Sequence, residues 1–131
     1  MATRHQVRQA VVSLLYAHEM GSEMNEFKDE FLEEKKIRNE RKIQALETFD
    51  AICLKKGELD EILKPYLKEK DIERIGIVEL AILRLGVYEM KFTGTDKAVI
   101  INEAIELAKE LGGDSAPKFI NGVLDALKGE M

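Results

Sequence analysis

From Asp71 onward the chain reads IERIGIVELAILRLGVYEMKF, apolar on nearly every side of a helix. A helix without a polar face has to be surrounded by others, so this segment predicts the central helix of an all-α protein. The charges within it, Glu79, Arg84 and Glu89, then need partners or a route to water, because an unpaired buried charge is very costly.

The segments around it supply amphipathic helices to cover that centre. Thr3 and Gln6 have the spacing of a capping box, so the first helix begins near Arg4. Val7, Ala10, Val11, Leu14 and Leu15 recur at three- and four-residue intervals as its buried stripe, and Gly21 is its stop. His5, Arg8, Gln9, Val12 and Tyr16 fall on the flank, and His18 falls on the buried side. Met24, Phe27 and Phe31 mark a surface helix with a narrow seam. A third helix starts near Asn39, carries Ile43, Leu46, Phe49, Ile52 and Cys53, and stops at Lys56 and Gly57. A fourth places Leu59, Ile62, Leu63, Tyr66 and Leu67 on one face, with Pro65 shortening it. After TGTDK, the sixth helix, AVIINEAIELAKELGG, ends at Gly112 and Gly113. Asp114 or Ser115 caps the seventh, where Pro117 is tolerated in the first turn and Phe119, Gly122, Val123, Ala126 and Leu127 form the stripe. No stretch alternates with period two, so the expectation is a compact bundle of about seven helices with no sheet.

With 131 residues, one domain is the default. The net charge of −5 argues against a nonspecific nucleic-acid binder, so contact with an anionic partner has to be local. Although MATRHQVRQAVVSLLYA begins like an export signal, its apolar stretch is short and lacks a small-residue cleavage site. No uncharged run approaches the ~20 residues needed to span a bilayer. The lone Cys53 has no internal disulfide partner; its apolar neighbours make it an inert buried thiol, which suits a reducing cytoplasm.

Little in the sequence supports catalysis. His5 and His18 lie outside any metal-ligand spacing, and a packed, hydrogen-bonded role suits His18 better than a catalytic one. GGDS near residue 112 lacks the ending of a phosphate loop and reads as a capping turn. Glu103 and Glu106 read as a solvated helix face, while Asn102 and Asn121 read as ties between helices. What remains is the flank of the first helix, where Arg4, His5, Arg8, Gln9 and Tyr16 offer groups for phosphates, base edges and stacking. Lys118 lies in the opening turn of the seventh helix, where backbone N–H groups favour an anion. Two basic helix starts suit one anionic ligand, yet a solvated surface flank explains so small a cluster as well.

Longer patterns add to this. The early R-x-x-x-R-x-x-x-x-x-x-LY (Arg4, Arg8, Leu15, Tyr16), then VELAILRLGVYEM, AVIINEAIELAKELG and KFINGVLD, resemble the NusB transcription antitermination factors of bacteria. This resemblance covers essentially the whole chain, residues 1–131. It implies two helical subdomains, about 3–57 and 58–131, and no catalytic activity or cofactor. Members of the family bind the boxA element of nascent RNA together with NusE, a small-ribosomal-subunit protein, and help RNA polymerase read through terminators during ribosomal RNA synthesis.

Carried over position by position, the resemblance implies RNA contacts at Arg4, His5 and Arg8, and at Ser115, Lys118 and Phe119 on the seventh helix. Partner contacts map onto Tyr66, Glu73, Glu79 and Arg84, where an acidic surface suits a basic ribosomal protein. His5 and Gln6 stand where the family often has arginines, which implies weaker RNA binding alone, some dependence on pH and more reliance on NusE. Some members self-associate over the RNA-binding flank; for this chain monomer and homodimer both stay open. Two other readings are a substrate-binding module like the helical domain of some RNA cytosine methyltransferases and a protein-only scaffold. The first lacks a methyl-donor or catalytic cysteine motif here.

Overall fold

The computed structural model describes residues 2–67 and 72–131, and among them there are helices and turns but no strand. The chain divides into two compact units, Met1–Leu54 and Lys55–Met131.

The first unit holds α1 (Arg4–Glu19), α2 (Met24–Glu34) and α3 (Asn39–Leu54). The capping box at the start of α1 is present: Gln6 N donates to Thr3 Oγ1 at 3.1 Å and Thr3 N donates to Gln6 Oε1 at 2.8 Å. Each bond satisfies a backbone donor that a helix start otherwise leaves to water. At the far end the chain leaves the helix through Gly21 at φ 88°, a backbone conformation that costs glycine little. The predicted stripe is buried, and α1 packs chiefly on α3 and more lightly on α2.

Several expectations for this unit change. Val12, read as a flank residue, is only 1% exposed and extends the core side of α1. His18, read as buried, is exposed and meets the Phe49 ring edge-on at 5.9 Å between centroids; it lies in the last turn, beyond Leu14 and Leu15. In α2 the buried side chain is Leu32, while Met24 is half-buried and Phe27 and Phe31, also half-buried, stack on each other at 5.5 Å. On α3, Ala45, Phe49 and Ile52 form the core face; Ile43, expected among them, is exposed, and Cys53, expected as a buried thiol, is half-buried and engaged by a neighbouring group.

The α2–α3 turn closes in a Schellman arrangement. Lys36 N donates to the Glu33 carbonyl at 3.0 Å and Ile37 N to the Leu32 carbonyl at 2.9 Å, with Lys36 at φ 59°. This motif pairs an apolar residue after the turn with one in the last helical turn. Here those residues are Ile37 and Leu32, both buried.

The second unit holds α4 (Lys56–Leu63), a 3-10 turn (Lys64–Tyr66), another 3-10 turn (Ile72–Arg74), α5 (Ile77–Phe92), α6 (Lys97–Leu111) and α7 (Ala116–Lys128). Gly57, read as the stop of the third helix, lies inside α4; that stop belongs to Leu54, two residues before α4 begins. Pro65 sits in the 3-10 turn that follows α4, as its missing N–H and fixed φ demand. The expected start of the central helix at Asp71 lies outside the described residues; α5 begins at Ile77.

Helix α5 is the centre of this unit and packs against α4, α6 and α7. Ten of its sixteen residues are buried, which fits a segment without a polar face. A Cβ on Gly86 would lie 3.1 Å from Leu124 Cδ1, so glycine lets α5 and α7 approach closely. The internal charges are accounted for as well. Arg84 donates from Nε to Asp60 Oδ1 at 2.8 Å and from Nη2 to Asp60 Oδ2 at 2.9 Å, a bidentate pair with side chains 7% and 16% exposed. Glu89 is buried and engaged.

Asp96 caps α6 by accepting from Ala98 N at 2.7 Å. The stripe of α7 is Ala116, Ile120, Val123, Leu124 and Leu127, not one containing Phe119, Gly122 and Ala126. Burying Ile120 and Leu124 removes far more apolar surface from water than burying Gly122 and Ala126. That preference rotates the helix and leaves Phe119 half-buried. Asn102 and Asn121, read as interhelical ties, are solvent-exposed.

Candidate nucleic-acid interface

The opening turns of α1 bring Arg4, His5, Arg8 and Gln9 together. Arg4 and Arg8 are one turn apart and therefore neighbours on the helix surface. Arg4 is exposed, while His5, Arg8 and Gln9 are half-buried and each is already engaged by a neighbouring group. Such intramolecular contacts hold side chains in place for a ligand at lower entropic cost. Tyr16, two turns beyond Arg8, is 41% exposed, and buried Val12 separates it from the basic turns.

The capping box matters to this site as well as to the fold. It fixes the first turn, and with it the direction of the two arginines. No acid occurs in that turn, so the positive end of the helix dipole and both guanidinium groups act with the same sign.

In the second unit Ser115, Lys118 and Phe119 share the first turn of α7. Ser115 is the N-cap residue but its side chain makes no capping bond, Lys118 is exposed and Phe119 half-buried. The turn before it is built from GGDS. Gly113 N donates to Glu79 Oε1 at 3.3 Å, so a carboxylate already occupies this N–H, as a capping turn requires and a phosphate loop does not. A Cβ on Gly112 would lie 3.0 Å from the Ala108 carbonyl oxygen, which explains glycine there.

The residues assigned to a protein partner differ in character. Tyr66 is half-buried and lines an open groove of about 570 Å³ with Ile62, Pro65, Met90 and Leu127. Glu73 is exposed in its 3-10 turn and engaged. Glu79 is half-buried and occupied in part by Gly113. Arg84 points inward to Asp60, so its guanidinium serves the packing of α4 on α5.

One set of residues escaped the reading of the sequence. Lys36, Arg38 and Arg41, around the α2–α3 turn, line a cleft together with Arg4. Their signal was the density of charge in KKIRNERK, which the helical periodicity on either side obscured. Among the described residues no group of three His, Cys, Asp or Glu is placed to hold a metal ion, and no helix is long and apolar enough to cross a membrane.

Comparison with known proteins bears on the whole of this arrangement. Residues 5–128 match the model of the NusB family. The chain is 70% identical over 131 residues to the transcription antitermination protein NusB of Campylobacter concisus, covering 100% of both. Among solved structures, a NusB of T. maritima superposes with a TM-score of 0.85 at 30% identity, covering 98% of this chain and 92% of that one. A crystal structure of the antitermination factors NusB and NusE in complex with dsRNA gives a TM-score of 0.85 at 30% identity, with 98% and 97% covered. Similarity of this extent runs through every helix of both units, and the chain belongs to the NusB family.

Proposed function

We propose that this chain is a noncatalytic RNA-binding subunit of a transcription antitermination complex, acting in the cytoplasm on boxA-type RNA together with NusE and RNA polymerase. The observation that carries this reading is family membership combined with a capped helix start that sets Arg4 and Arg8 one turn apart, with no acid in the first turn. A similar protein crystallised with NusE and dsRNA supports both partners. In this reading Arg4, His5, Arg8 and Gln9 engage phosphates and base edges, and Tyr16 stacks. The first turn of α7 adds Ser115, Lys118 and Phe119 as a second RNA surface. The half-buried Phe119 suits it, since one exposed face is enough for stacking on a base.

NusE docking is assigned to the second unit through Tyr66, Glu73 and Glu79, with Arg84 holding α5 in position rather than touching the partner. An acidic chain then meets RNA through small basic surfaces and reaches useful affinity as a heterodimer. The test is binding of a boxA-type RNA by the free chain and by its mixture with NusE at several salt concentrations. Weak binding alone, strengthened by NusE and weakened by salt, is the expected result; no binding under any of these conditions overturns the reading. Sedimentation of the same samples distinguishes monomer, homodimer and heterodimer.

A further inference from the structure

The α2–α3 turn and its flanks read KKIRNERK, residues 35–42, with five cationic residues in eight positions against one acid, Glu40. On a chain of net charge −5 this is a local reversal of sign. The structure divides the five by task. Lys35 lies over the Phe31 ring at 5.7 Å, and Lys42 pairs with Asp29 at 3.4 Å. The remaining three, Lys36, Arg38 and Arg41, line an open cleft of about 880 Å³ that also takes in Arg4 from the first turn of α1.

The chemistry of the cleft selects its occupant. Apart from Ala2, every lining residue is charged or an amide, so the cleft has no aromatic ring and little apolar surface to receive an apolar side chain. Arg41 Nη1 donates to Gln44 Oε1 at 2.9 Å, which orients a guanidinium whose other N–H groups remain available as donors. Arg38 pairs with Glu33 at 2.8 Å, both side chains more than half exposed; an ion pair in that setting is weak, and a phosphate can replace the carboxylate. Asn39 and Gln44 supply amides suited to sugar hydroxyls. Four cations, Arg4, Lys36, Arg38 and Arg41, against the one acid Glu40 make this chiefly a set of donors for an anionic backbone.

Backbone strain points the same way. Lys36 at φ 59° and Asn39 at φ 57° occupy the left-handed region, which costs a lysine energy that glycine would avoid. Ile37, only 2% exposed, pins the turn between Lys36 and Arg38, so the two cations project from a fixed base. Arg4 belongs to both the α1 cluster and this cleft, which makes the two surfaces continuous.

We propose that an RNA strand bound along α1 continues into the cleft of the α2–α3 turn, where Lys36, Arg38 and Arg41 hold its phosphodiester backbone irrespective of sequence. This rests on the reading of the chain as an RNA-binding protein. The turn thereby supplies charge that His5 and Gln6 withhold from α1.

The test uses the full chain with NusE, a short boxA-type RNA, and the same RNA extended at both ends by unrelated single strand. Lys36→Gln/Arg41→Gln is expected to weaken binding of the extended RNA roughly tenfold and to flatten the salt dependence by about 1.4 in slope, the loss of two single-strand phosphate contacts. The loss is equal when the extensions are scrambled. Lys36→Gly separates charge from fold: it relieves the left-handed strain, so thermal stability rises while affinity falls. Unchanged affinity and slope in the double variant, alongside weakened binding by Arg8→Ala, overturns the cleft and leaves the α1 site standing. Loss of NusE binding with RNA binding intact overturns it in favour of a protein-docking face. If the unaltered chain binds neither RNA, the functional reading falls together with the cleft.

Discussion

Helices α1 and α5 are the same length, sixteen residues, and carry arginine to opposite ends. On α1, Arg4 and Arg8 stand at the entrance of the helix, where one face meets solvent. On α5, Arg84 is enclosed, and one edge of its guanidinium is held by both carboxylate oxygens of Asp60. The difference lies in what surrounds each helix. A stripe on α1 suffices to bury it against α2 and α3 and leaves an arc free for binding. Being covered by α4, α6 and α7, α5 must convert any charge it carries into internal structure. Residue type alone therefore does not identify a binding residue; its partner within the fold does.

The sharpest way to break this comparison is to free the buried arginine. Asp60→Ala is expected to destabilise the protein by about 3–5 kcal/mol, because it strips a buried guanidinium of its bidentate carboxylate. Replacing both partners with apolar residues, Asp60→Leu with Arg84→Met, should recover most of that loss; urea denaturation measures both. A loss below ~1 kcal/mol for Asp60→Ala would show that Arg84 reaches water and is closer in kind to Arg8.

Next in size, Arg8→Ala should weaken RNA binding by roughly 1–2 kcal/mol and flatten the salt slope by about one unit, with a stability loss well below that of Asp60→Ala. This is the converse pattern: function lost, fold kept. An unaltered slope would remove Arg8 from the phosphate contacts.

Thr3→Ala tests whether the two effects meet at the entrance of α1. Loss of the cap is expected to cost about 1 kcal/mol of stability and to weaken RNA binding modestly, since the first turn frays and Arg4 loses its fixed direction. Circular dichroism melts and anisotropy titrations read the two separately. The smallest effect belongs to an exposed pair: Lys109→Ala, which removes a 3.4 Å contact with Glu106, should change stability by less than ~0.5 kcal/mol.

Local chemistry was the part of the fold most legible in the sequence. The capping box at Thr3, the stop at Gly21 and the helix-breaking Pro65 depend on a few adjacent residues, and each stands where expected. The seam of α5 was readable because no rotation of that helix hides an apolar side in water. What failed depended on tertiary competition. On α7 two overlapping stripes were available, and only packing against α6 and α5 decides that Ile120 and Leu124 turn inward while Phe119 stays half outside. Val12 became core and His18 did not, although periodicity gave the opposite assignment to both.

The candidate site follows the same division. Arg4 and Arg8 were visible because they sit in one helical turn. Glu79 was read as a charge within the central helix in need of a partner, and the partner it finds is Gly113 N, a residue thirty-four positions later that no local pattern connects to it. The cleft basic residues were missed because Lys36, Arg38 and Arg41 belong to no single helical face; the reversal of direction at Lys36 brings them to one side.

That reversal also bears on how the chain meets a protease. A run with five cationic residues is rich in trypsin sites by composition, but cleavage requires an extended segment, and Ile37 is anchored in the core beside Leu32. Cutting within residues 35–42 should therefore track the opening of the first unit rather than surface exposure. Its rate makes the turn a built-in gauge of that unit's local stability, readable without any label, and bound RNA should slow it.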